Sequence, residues 1–408
     1  MKYLLEYPSQ FRAEITLPAS KSISNRALII SALTTKGSIP TNLAECDDTS
    51  VMIKALSSNE ELVDIMAAGT SMRFLTAFYS TQPGTKIMTG TERMKNRPIH
   101  LLVDALRQLG ADITYLEKKG FPPLKIKGNP LKGGKLQLNG SISSQFITAL
   151  LLIAPTLQEG LVLDLLGEIA SKPYINMTLA LMNQCGAKAQ WVNEHTLSVE
   201  PQPYQPTAIT VEYDWSAASY WFEMVALGKN AEILLRGVRL ASLQGDAKGA
   251  AHFKELGVNC KENAEGLLLT KSGYIAETLH IDFTEIPDLA QTFVVTAALL
   301  GVPFHFTGLQ TLRIKETDRI AALIEELGKL GYDIQSKGDS EMIWDGSKKQ
   351  KDIQPEIHTY EDHRMAMAFA PAAIYHPELV INEPMVVTKS YPNYWGDLEL
   401  AGVKLLKK

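Results

Sequence analysis

The sequence predicts an α/β protein with two domains, each built from three copies of one structural unit. Three observations support this prediction. The chain has 408 residues, which is more than one hydrophobic core usually contains. Apolar segments with polar starts recur at regular intervals, and a second kind of segment, which ends at a glycine, recurs with similar spacing.

The first kind of segment has the composition of a buried helix with a polar start. Five copies are GTSMRFLTA, SSQFITALL, SAASYWFEM, LAQTFVVTA and EDHRMAMAF. Their central residues are spaced by 72, 74, 73 and 72 positions: Arg73, Gln145, Ser219, Thr292 and Arg364. SKSISNRALIISAL is a sixth copy, with a shorter interval of 47 residues from Arg26 to Arg73. This matched spacing indicates internal duplication.

The second kind of segment ends on a Leu-Gly or Cys-Gly step: RQLGAD, NQCGAK, KELGVN and GKLGYD. A glycine is expected to close a helix in this way because it adopts positive φ without strain. Short alternating pieces between the helices, such as KLQLNG, LVLDLL, HTLSVE and AEILLRGV, are typical of strands. The repeated unit is therefore two helices with several short strands, present six times and three times per domain.

The composition excludes several classes of protein. A hydrophobic content of 45% with 21% charged residues is typical of a globular chain. The net charge of −5 argues against general affinity for nucleic acid, which usually requires an excess of basic residues.

The three cysteines form no CxxC pair, which excludes the common zinc spacings and favours a reducing compartment. The start of the chain lacks the pattern of a signal peptide, and residues 293–306, the longest apolar stretch, are too few to span a bilayer. We therefore expect a cytoplasmic protein.

The polar start of the first copy contains two cations, Lys21 and Arg26, among Ser20, Ser22 and Ser24. A serine here is an ordinary N-cap, because its oxygen accepts from free N–H groups of the first turn. Cations are less expected, since this end of a helix already carries partial positive charge. Cations, hydroxyls and open N–H groups together are typical of a site for phosphate or carboxylate. On this stretch alone, an anion site and a solvated cap are both open interpretations.

The other helix starts repeat this chemistry. The polar residues found there are Gly69, Thr70 and Arg73; Arg93, Lys95 and Arg97; Ser143, Ser144 and Gln145; Ser171, Lys172 and Tyr174; Asp288; Lys315, Glu316, Asp318 and Arg319; His363 and Arg364; and Lys389. Taken singly, each group is compatible with a solvated helix face, with ion pairs at i,i+3 and i,i+4, or with a structural histidine. Their common position favours a shared anion site, because parallel helices of one domain would direct these ends towards one cleft. The nucleotide-binding, zinc-protease and nucleophile-elbow motifs are missing, so we expect multiply anionic small molecules and no structural metal.

These motifs together resemble the 5-enolpyruvylshikimate-3-phosphate synthase family of enolpyruvyl transferases. SKSxSNRAL, AGTSMRFLTA, RMKNRPI, SSQF, SKPY, IPD, KETDR, DHRMAM and TKSYP occur in the order typical of that family and span almost the whole chain. The resemblance implies a two-domain inside-out α/β barrel, with three βαβαββ repeats per domain and the active site in the interdomain cleft. It also implies the domain bounds: residues 20–212 form the N-terminal domain, and residues 1–19 with 213–408 form the C-terminal domain.

The activity implied by the resemblance is 3-phosphoshikimate 1-carboxyvinyl transfer. An enzyme of this family moves the enolpyruvyl group of phosphoenolpyruvate to the 5-hydroxyl of shikimate 3-phosphate and releases phosphate, in the shikimate pathway of chorismate and aromatic amino-acid biosynthesis. The implied partners are these two small molecules, with no cofactor, no metal, no nucleic acid and no membrane, and the implied state is a monomer.

The resemblance also implies residue roles. The implied catalytic residues are Asp288, Glu316, Lys21 and His363. The implied contacts of shikimate 3-phosphate are Lys21, Ser22, Arg26, Ser143, Ser144, Gln145, Ser171, Tyr174, Asp288 and Lys315. The implied contacts of phosphoenolpyruvate are Lys21, Gly69, Arg97, Gln145, Arg319, Arg364 and Lys389. Asp288 resembles the group that takes the hydroxyl proton, and Glu316 resembles the group that handles the methylene proton.

Three positions depart from the common family pattern: Ala67 and Thr311, where asparagine is frequent, and Phe74, where proline is frequent. They bear on affinity for inhibitors such as glyphosate and spare the charged groups. One alternative function is UDP-N-acetylglucosamine enolpyruvyl transfer, but the loop MTGTERMKNRP lacks the cysteine usual in that enzyme. Another is a noncatalytic anion-binding protein on the same scaffold, which would need neither Asp288 nor Glu316.

Overall fold

The structure is a computed structural model that describes residues 1–35, 39–141 and 143–408. The chain separates into two compact units. One, here called the contiguous unit, is Ala19–Glu212, and the other, the split unit, joins Met1–Pro18 to Tyr213–Lys408. Each unit has its own hydrophobic core. Within the described ranges, no helix combines the length and apolarity needed to cross a membrane.

In the described part of the chain, the α-helices form six pairs, as the repeat predicted. In chain order they are α1 (Lys21–Leu33), α2 (Asp47–Ser57), α3 (Gly69–Thr81), α4 (Glu92–Lys95), α5 (His100–Gln108), α6 (Ser144–Ile153), α7 (Lys172–Gln184), α8 (Trp215–Leu227), α9 (Gly249–Glu255), α10 (Ala290–Leu300), α11 (Arg319–Lys329), α12 (His363–Phe369) and α13 (Tyr394–Leu400). The first helices of the pairs are α1, α3, α6, α8, α10 and α12, and each begins at or within two residues of a predicted polar start. The short helix α4 is additional to the pairs.

The strands form four-stranded sheets of one topology. In chain order they are β1 (Lys2–Glu6), β2 (Gln10–Ile15), β3 (Leu62–Asp64), β4 (Gly84–Thr89), β5 (Asp112–Tyr115), β6 (Leu124–Gly128), β7 (Gly134–Asn139), β8 (Leu161–Leu166), β9 (Ala189–Trp191), β10 (Thr196–Val199), β11 (Asn230–Arg236), β12 (Val258–Glu262), β13 (Gly266–Lys271), β14 (Leu279–Asp282), β15 (Phe304–Thr307), β16 (Gln335–Lys337), β17 (Glu341–Trp344), β18 (Glu356–Ile357), β19 (Val380–Asn382) and β20 (Lys404–Lys407). The sheets are β3-β4-β6-β5 and β7-β8-β10-β9 in the contiguous unit, and β2-β11-β13-β12, β14-β15-β17-β16 and β18-β19-β1-β20 in the split unit. Each contains one parallel pair followed by two antiparallel pairs. The predicted α/β class is confirmed.

The first repeat differs from the other five. Helices α1 and α2 are present, but among the described residues this repeat has only an isolated bridge, between Thr41 and Thr210, where the others have a sheet. The sequence explains the difference, because the interval from Arg26 to Arg73 is 47 residues instead of 72 to 74. The shorter interval leaves too little chain for a full set of strands.

The first helices of the pairs form the interior of each unit. In α8, for example, every residue except Ser216 is buried, including Trp221 and Phe222. Helices that are apolar on all sides are buried on all sides. The second helices are one-sided: α11 buries Ile320, Leu323 and Leu327 and exposes the opposite face. The polar residues at the helix starts are therefore carried on rigid, buried supports.

The glycines predicted to close the second helices do so. Gly110, Gly186, Gly257 and Gly331 follow α5, α7, α9 and α11 and have φ values of 103°, 82°, 85° and 90°. Six 3-10 helices complete the described part of the chain: Ala154–Thr156, Gly245–Lys248, Pro287–Leu289, Gln310–Ile314, Ala370–Ile374 and Pro384–Lys389. Three of these lie directly before or within the motifs IPD, KETDR and TKSYP.

Candidate active site

In the contiguous unit, Arg26 connects the starts of three buried helices. Its Nε donates to Thr178 Oγ1 at 2.8 Å, its Nη1 to the Ser22 carbonyl at 2.7 Å, and its Nη2 to Thr148 Oγ1 at 3.4 Å. Nη2 also lies 3.4 Å from the carbonyl oxygen of Tyr174. Burial lowers the pKa of Arg26 to about 10, so the guanidinium remains charged at neutral pH.

Lys21 is held by a carboxylate that the sequence analysis did not single out. Its Nζ donates to Asp48 Oδ2 at 2.9 Å, and both side chains are largely buried. Asp48 lies in the first turn of α2, and its backbone carbonyl accepts from Ser71 Oγ in the first turn of α3. Lys21 is thereby tied to the start of the next repeat.

Gly69 provides the space that two arginines occupy. Arg73 Nη1 donates to the Gly69 carbonyl at 2.8 Å. A Cβ atom at position 69 would lie 2.5 Å from Arg97 Nη1 and 2.9 Å from Arg73 Nη1. Only glycine therefore permits both guanidinium groups to approach the start of α3.

The remaining predicted residues of this unit lie at the starts of α6 and α7. Gln145 Nε2 donates to Thr70 Oγ1 at 3.1 Å, which connects α6 to the Gly69 region. Ser143 is the N-cap of α6, and its hydroxyl accepts from the Gln145 backbone N–H at 3.4 Å. Ser144 follows as the first residue of that helix.

Ser171 is the N-cap of α7 and adopts a left-handed conformation, with φ of 57°. A non-glycine residue there is strained, and such strain is concentrated at functional sites. Tyr174, in the first turn of α7, is half-buried. In the contiguous unit, contacts therefore connect Arg26 with Ser22 and Tyr174, and Gln145 with Thr70 beside Gly69. Lys95 pairs instead with Glu92 and Glu117, and Lys172 lies over the Trp191 ring.

In the split unit, Asp288 is surrounded by three cations. Its Oδ1 accepts from Lys315 Nζ and from Arg319 Nη1, both at 3.4 Å, and its Oδ2 accepts from Arg364 Nη2 at 3.0 Å. Burial alone would raise the pKa of the Asp288 carboxyl. The charges of Arg364, Lys315 and Arg319 outweigh burial and lower that pKa well below its ordinary value.

Glu316 lies between two other cations of the set. Its Oε2 accepts from Arg319 Nη2 at 2.9 Å, and its Oε1 accepts from Lys389 Nζ at 3.1 Å. The pair with Arg319 has the i,i+3 spacing of a helix-surface ion pair. It is not a surface pair, however, because the Arg319 side chain is only 1% exposed.

Arg319 is positioned by Asp362, a second carboxylate that the sequence analysis did not single out. Arg319 Nε donates to Asp362 Oδ2 at 2.7 Å, and Nη2 lies 3.3 Å from Asp362 Oδ1. Asp362 is fully buried and also accepts from the backbone N–H of Arg364 as the N-cap of α12. Burial disfavours a charged guanidinium, but Asp362, Glu316 and Asp288 outweigh it and raise the pKa of Arg319.

His363 occupies a different environment from the other predicted residues. Its side chain is 2% exposed, and its Nδ1 lies 3.8 Å from Asp362 Oδ1. In this structure the imidazole is therefore packed inside the unit, next to the carboxylate that orients Arg319. All seven predicted residues of the split unit lie in or beside one polar cluster: Asp288, Lys315, Glu316, Arg319, His363, Arg364 and Lys389.

The positions that depart from the common family pattern do not interrupt these clusters. Phe74 is buried in α3, and its ring lies 5.5 Å from the Arg26 guanidinium carbon. Ala67 is exposed just before α3. Thr311 lies in the 3-10 helix Gln310–Ile314, ahead of Lys315. Phe74 thus supports Arg26 by an aromatic contact that a proline cannot make.

Comparison with known proteins agrees with the motifs. The EPSP synthase family model, described as 3-phosphoshikimate 1-carboxyvinyltransferase, matches residues 5–59 and 55–398. A 3-phosphoshikimate 1-carboxyvinyltransferase of Bacteroides fragilis is 58% identical over 402 residues, which are 98% of each chain. A protein of the same name from Sulfurovum sp. is 37% identical and covers 95% of this chain and 96% of its own. The solved EPSP synthase of Acinetobacter baumannii has a TM-score of 0.77 at 21% identity, covering 100% of this chain and 99% of that one, and so shares the fold. This chain belongs to the EPSP synthase family.

Proposed function

We propose that this chain transfers the enolpyruvyl group of phosphoenolpyruvate to the 5-hydroxyl of shikimate 3-phosphate and releases inorganic phosphate. Family membership supports the activity. The observation that carries the residue assignment is the pair of carboxylates, Asp288 and Glu316, each bound by Arg319 and by at least one further cation. A noncatalytic anion-binding protein would need the cations without two competing carboxylates.

The chemistry requires two proton transfers in the addition step and two in the elimination step. In the addition step, the 5-oxygen of shikimate 3-phosphate bonds to C2 of phosphoenolpyruvate, its proton passes to Asp288, and the C3 methylene takes a proton from Glu316. In the elimination step, the C2–O bond to phosphate breaks, the departing phosphate takes the proton held by Asp288, and the methyl group returns a proton to Glu316, which restores the double bond. General acid–base catalysis of this kind contributes about a hundred- to ten-thousand-fold in rate.

The ion pairs of the split unit explain how substrate binding could activate Asp288. A carboxylate whose pKa is held well below its ordinary value is a weak base. The proposal assigns Arg364 and Arg319 to phosphoenolpyruvate, so its carboxylate and phosphate would compete with Asp288 for the same N–H groups. Withdrawal of those cations raises the Asp288 pKa towards the value a proton acceptor needs.

The contiguous unit would supply most of the contacts to shikimate 3-phosphate. Arg26 and its neighbours Ser22 and Tyr174, the start of α6 with Ser143, Ser144 and Gln145, and Ser171 offer hydroxyls, an amide and a cation. Charge-assisted and hydroxyl hydrogen bonds of this kind suit a phosphate and a carboxylate. Lys21, Gly69 and Arg97 would contact phosphoenolpyruvate.

Lys21 and His363 belong to the proposed catalytic set as well. Lys21 would stabilise developing negative charge from the position fixed by Asp48. His363 would assist proton handling by Glu316, although in this structure its ring is packed beside Asp362. We also propose that each compact unit is one enolpyruvyl transferase domain, that the enzyme is monomeric, and that it is cytoplasmic.

Phosphate release is the direct test of the activity. We expect the purified chain to release phosphate from phosphoenolpyruvate only when shikimate 3-phosphate is present, and to do so in a chelating buffer without nucleotide. UDP-N-acetylglucosamine in place of shikimate 3-phosphate is the matched control and is expected to give no release. Release that depends on the UDP-sugar would overturn the assignment, and tight binding of both anions without release would favour the noncatalytic alternative.

A further inference from the structure

Two side chains that have no proposed role in substrate binding or catalysis lie next to Arg364. Ser216 contacts Arg364 directly, and Asp246 is connected to it through Ser216. Ser216 lies in the first turn of α8, and Asp246 lies in the 3-10 helix Gly245–Lys248. Neither belongs to a motif that the sequence analysis connected with a substrate. Both lie in the split unit, beside the cluster that contains Asp288.

A continuous line of hydrogen bonds connects Asp246 to Asp288. Ser216 Oγ donates to Asp246 Oδ2 at 2.5 Å. The same oxygen accepts from Arg364 Nη2 at 3.3 Å, and Nη2 also donates to Asp288 Oδ2 at 3.0 Å. On the other side of the guanidinium, Nη1 lies 3.5 Å from Tyr220 Oη.

The hydrogen count gives this line a direction. Nη2 carries two hydrogens, which serve Asp288 and Ser216. A serine hydroxyl has one hydrogen, so Ser216 presents a lone pair to Arg364 reliably only when its own hydrogen is directed elsewhere. Asp246, a carboxylate that is 5% exposed, accepts that hydrogen. An ionised Asp246 therefore fixes Ser216 as an acceptor for Arg364.

We propose that Asp246 and Ser216 are positioning residues that hold the Arg364 guanidinium in the orientation in which it binds phosphoenolpyruvate. When the substrate anion draws Nη2 away from Asp288, the bond to Ser216 keeps the guanidinium from following freely. This inference rests on the proposed function, because it takes the assignment of Arg364 to phosphoenolpyruvate from there. The inference adds Ser216 and Asp246 to the residues on which phosphoenolpyruvate binding depends, and it requires that Asp246 be ionised.

Charged groups from three neighbouring elements act on Asp246. They are Asp214 at the start of α8, Asp288 in the 3-10 helix Pro287–Leu289, and Arg364 in α12. Burial raises the pKa of Asp246 to about 7; the charges of Asp288 and Asp214 act in the same direction, and the Ser216 hydrogen bond and Arg364 oppose them. The carboxyl would therefore ionise across neutral pH, and the positioning effect would be present above that pKa and lost below it.

Steady-state kinetics of Asp246→Asn, Ser216→Ala and Ser216→Thr test the inference. At pH 8 we expect Asp246→Asn and Ser216→Ala to raise KM for phosphoenolpyruvate by about three- to tenfold, the range expected for one lost hydrogen bond. We expect kcat to change by less than about twofold. The double variant should have a KM no higher than that of the single variant with the higher KM, since both residues act through one contact. Ser216→Thr keeps the hydroxyl and should restore KM. Asp352→Asn, at an exposed position of the same unit, is the control.

The pH dependence separates positioning from a merely structural role. The informative quantity is kcat/KM for phosphoenolpyruvate of the wild type divided by that of Asp246→Asn. The substrate titrates in the same way in both assays, so its pH dependence drops out of this ratio. We expect this ratio to be near one at pH 5.5 and to rise to about three- to tenfold above pH 7.5. A structural role would lower the melting temperature and the active fraction, which would raise this ratio equally at every pH and would leave KM unchanged.

The possible failures are distinguishable. If the wild type turned over normally but both single variants kept the wild-type KM at pH 8, or the ratio did not vary with pH, the inference would be wrong and the proposed function would stand. If the wild type released no phosphate at all, the proposed function would fail and this inference with it. Ser216→Ala removes only one oxygen, so it remains informative even if Asp246→Asn does not fold.

Discussion

The arginines of the two units are held by different partners. Arg319 is surrounded by carboxylates, whereas the contacts of Arg26 described above are with hydroxyl and carbonyl oxygens. Neutral oxygens orient a guanidinium and leave its charge uncompensated, whereas carboxylates orient it and also cancel its charge. An incoming anion therefore meets an uncompensated cation at Arg26, but it has to displace a carboxylate at Arg319. This difference suits a phosphate grip in one unit and proton chemistry in the other.

The proposed acid–base roles predict a specific kinetic pattern at Asp288 and Glu316. We expect Asp288→Asn and Glu316→Gln each to lower kcat by about a hundred- to ten-thousand-fold, since each change keeps the shape and removes the transferable proton. KM for phosphoenolpyruvate should not rise in either variant, because a competitor for Arg319 is removed. Initial rates of phosphate release give both parameters, with Glu277→Gln at an exposed site as the control. Near-normal turnover in both variants would rule these roles out.

Gly69 provides a test of the cation cluster in the contiguous unit. In Gly69→Ala the new methyl group meets the ends of Arg97 and Arg73, so the guanidinium groups would move rather than the backbone. A displaced guanidinium makes a weaker hydrogen bond to the substrate anion, and we expect a rise of about three- to tenfold in KM for phosphoenolpyruvate, with a smaller change in kcat. Gly273→Ala is the control, since no atom lies within 4 Å of its added carbon. If the two variants had equal KM values, Arg97 would not be a substrate contact.

Among the secondary-structure elements, the interior helices and the glycines that close the second helices were predictable, because each is fixed by a local pattern that recurs. Buried all-apolar helices such as α8 and α10 stand out from the sequence by composition alone. Gly110 and Gly331 stand out because only glycine adopts positive φ cheaply at a helix end. The repeat pattern predicts strands in the first repeat as well, and this was wrong for the described residues, because the shorter interval from Arg26 to Arg73 leaves too little chain for them.

Within the candidate site, the cations and the carboxylates Asp288 and Glu316 were predictable, but the carboxylates Asp48, Asp246 and Asp362 were not. Lys21 and Arg26 are unusual at a helix start, so they attract a functional interpretation. Asp48, Asp246 and Asp362 lie at or near helix starts, where an acidic residue has an ordinary role as a cap or a partner of the helix dipole. Nothing local distinguishes such a carboxylate from one that also binds a cation from another element. Only the folded contacts from Asp48 to Lys21 and from Asp362 to Arg319 reveal the second role.

At the scale of the whole molecule, the chain enters and leaves the contiguous unit at neighbouring points. The Ser20 backbone N–H donates to the Glu212 carbonyl at 2.7 Å. The two residues before Glu212 are also held by the first part of this unit: Asn42 Nδ2 donates to the Val211 carbonyl at 2.7 Å, and Thr41 pairs with Thr210. A segment whose ends are joined in this way has the connectivity of an inserted domain. The first and last parts of the chain then share one core in the split unit, where β2 pairs with β11.

This connectivity predicts that residues 19–212 fold without the rest of the chain. The segment contains one complete hydrophobic core and its own end-to-end hydrogen bonds, so we expect native-like circular dichroism and a single cooperative unfolding transition in urea. Residues 60–253, a segment of equal length, are the matched control. This control segment lacks α1 and α2. It contains α8 but lacks β2 and α10, so the apolar surface of α8 would be exposed. We expect that segment to aggregate or to unfold without a cooperative transition. If residues 19–212 also unfolded without cooperativity while the full chain unfolded cooperatively, the core of the contiguous unit would depend on the split unit, and the two could not be treated as separate folding units.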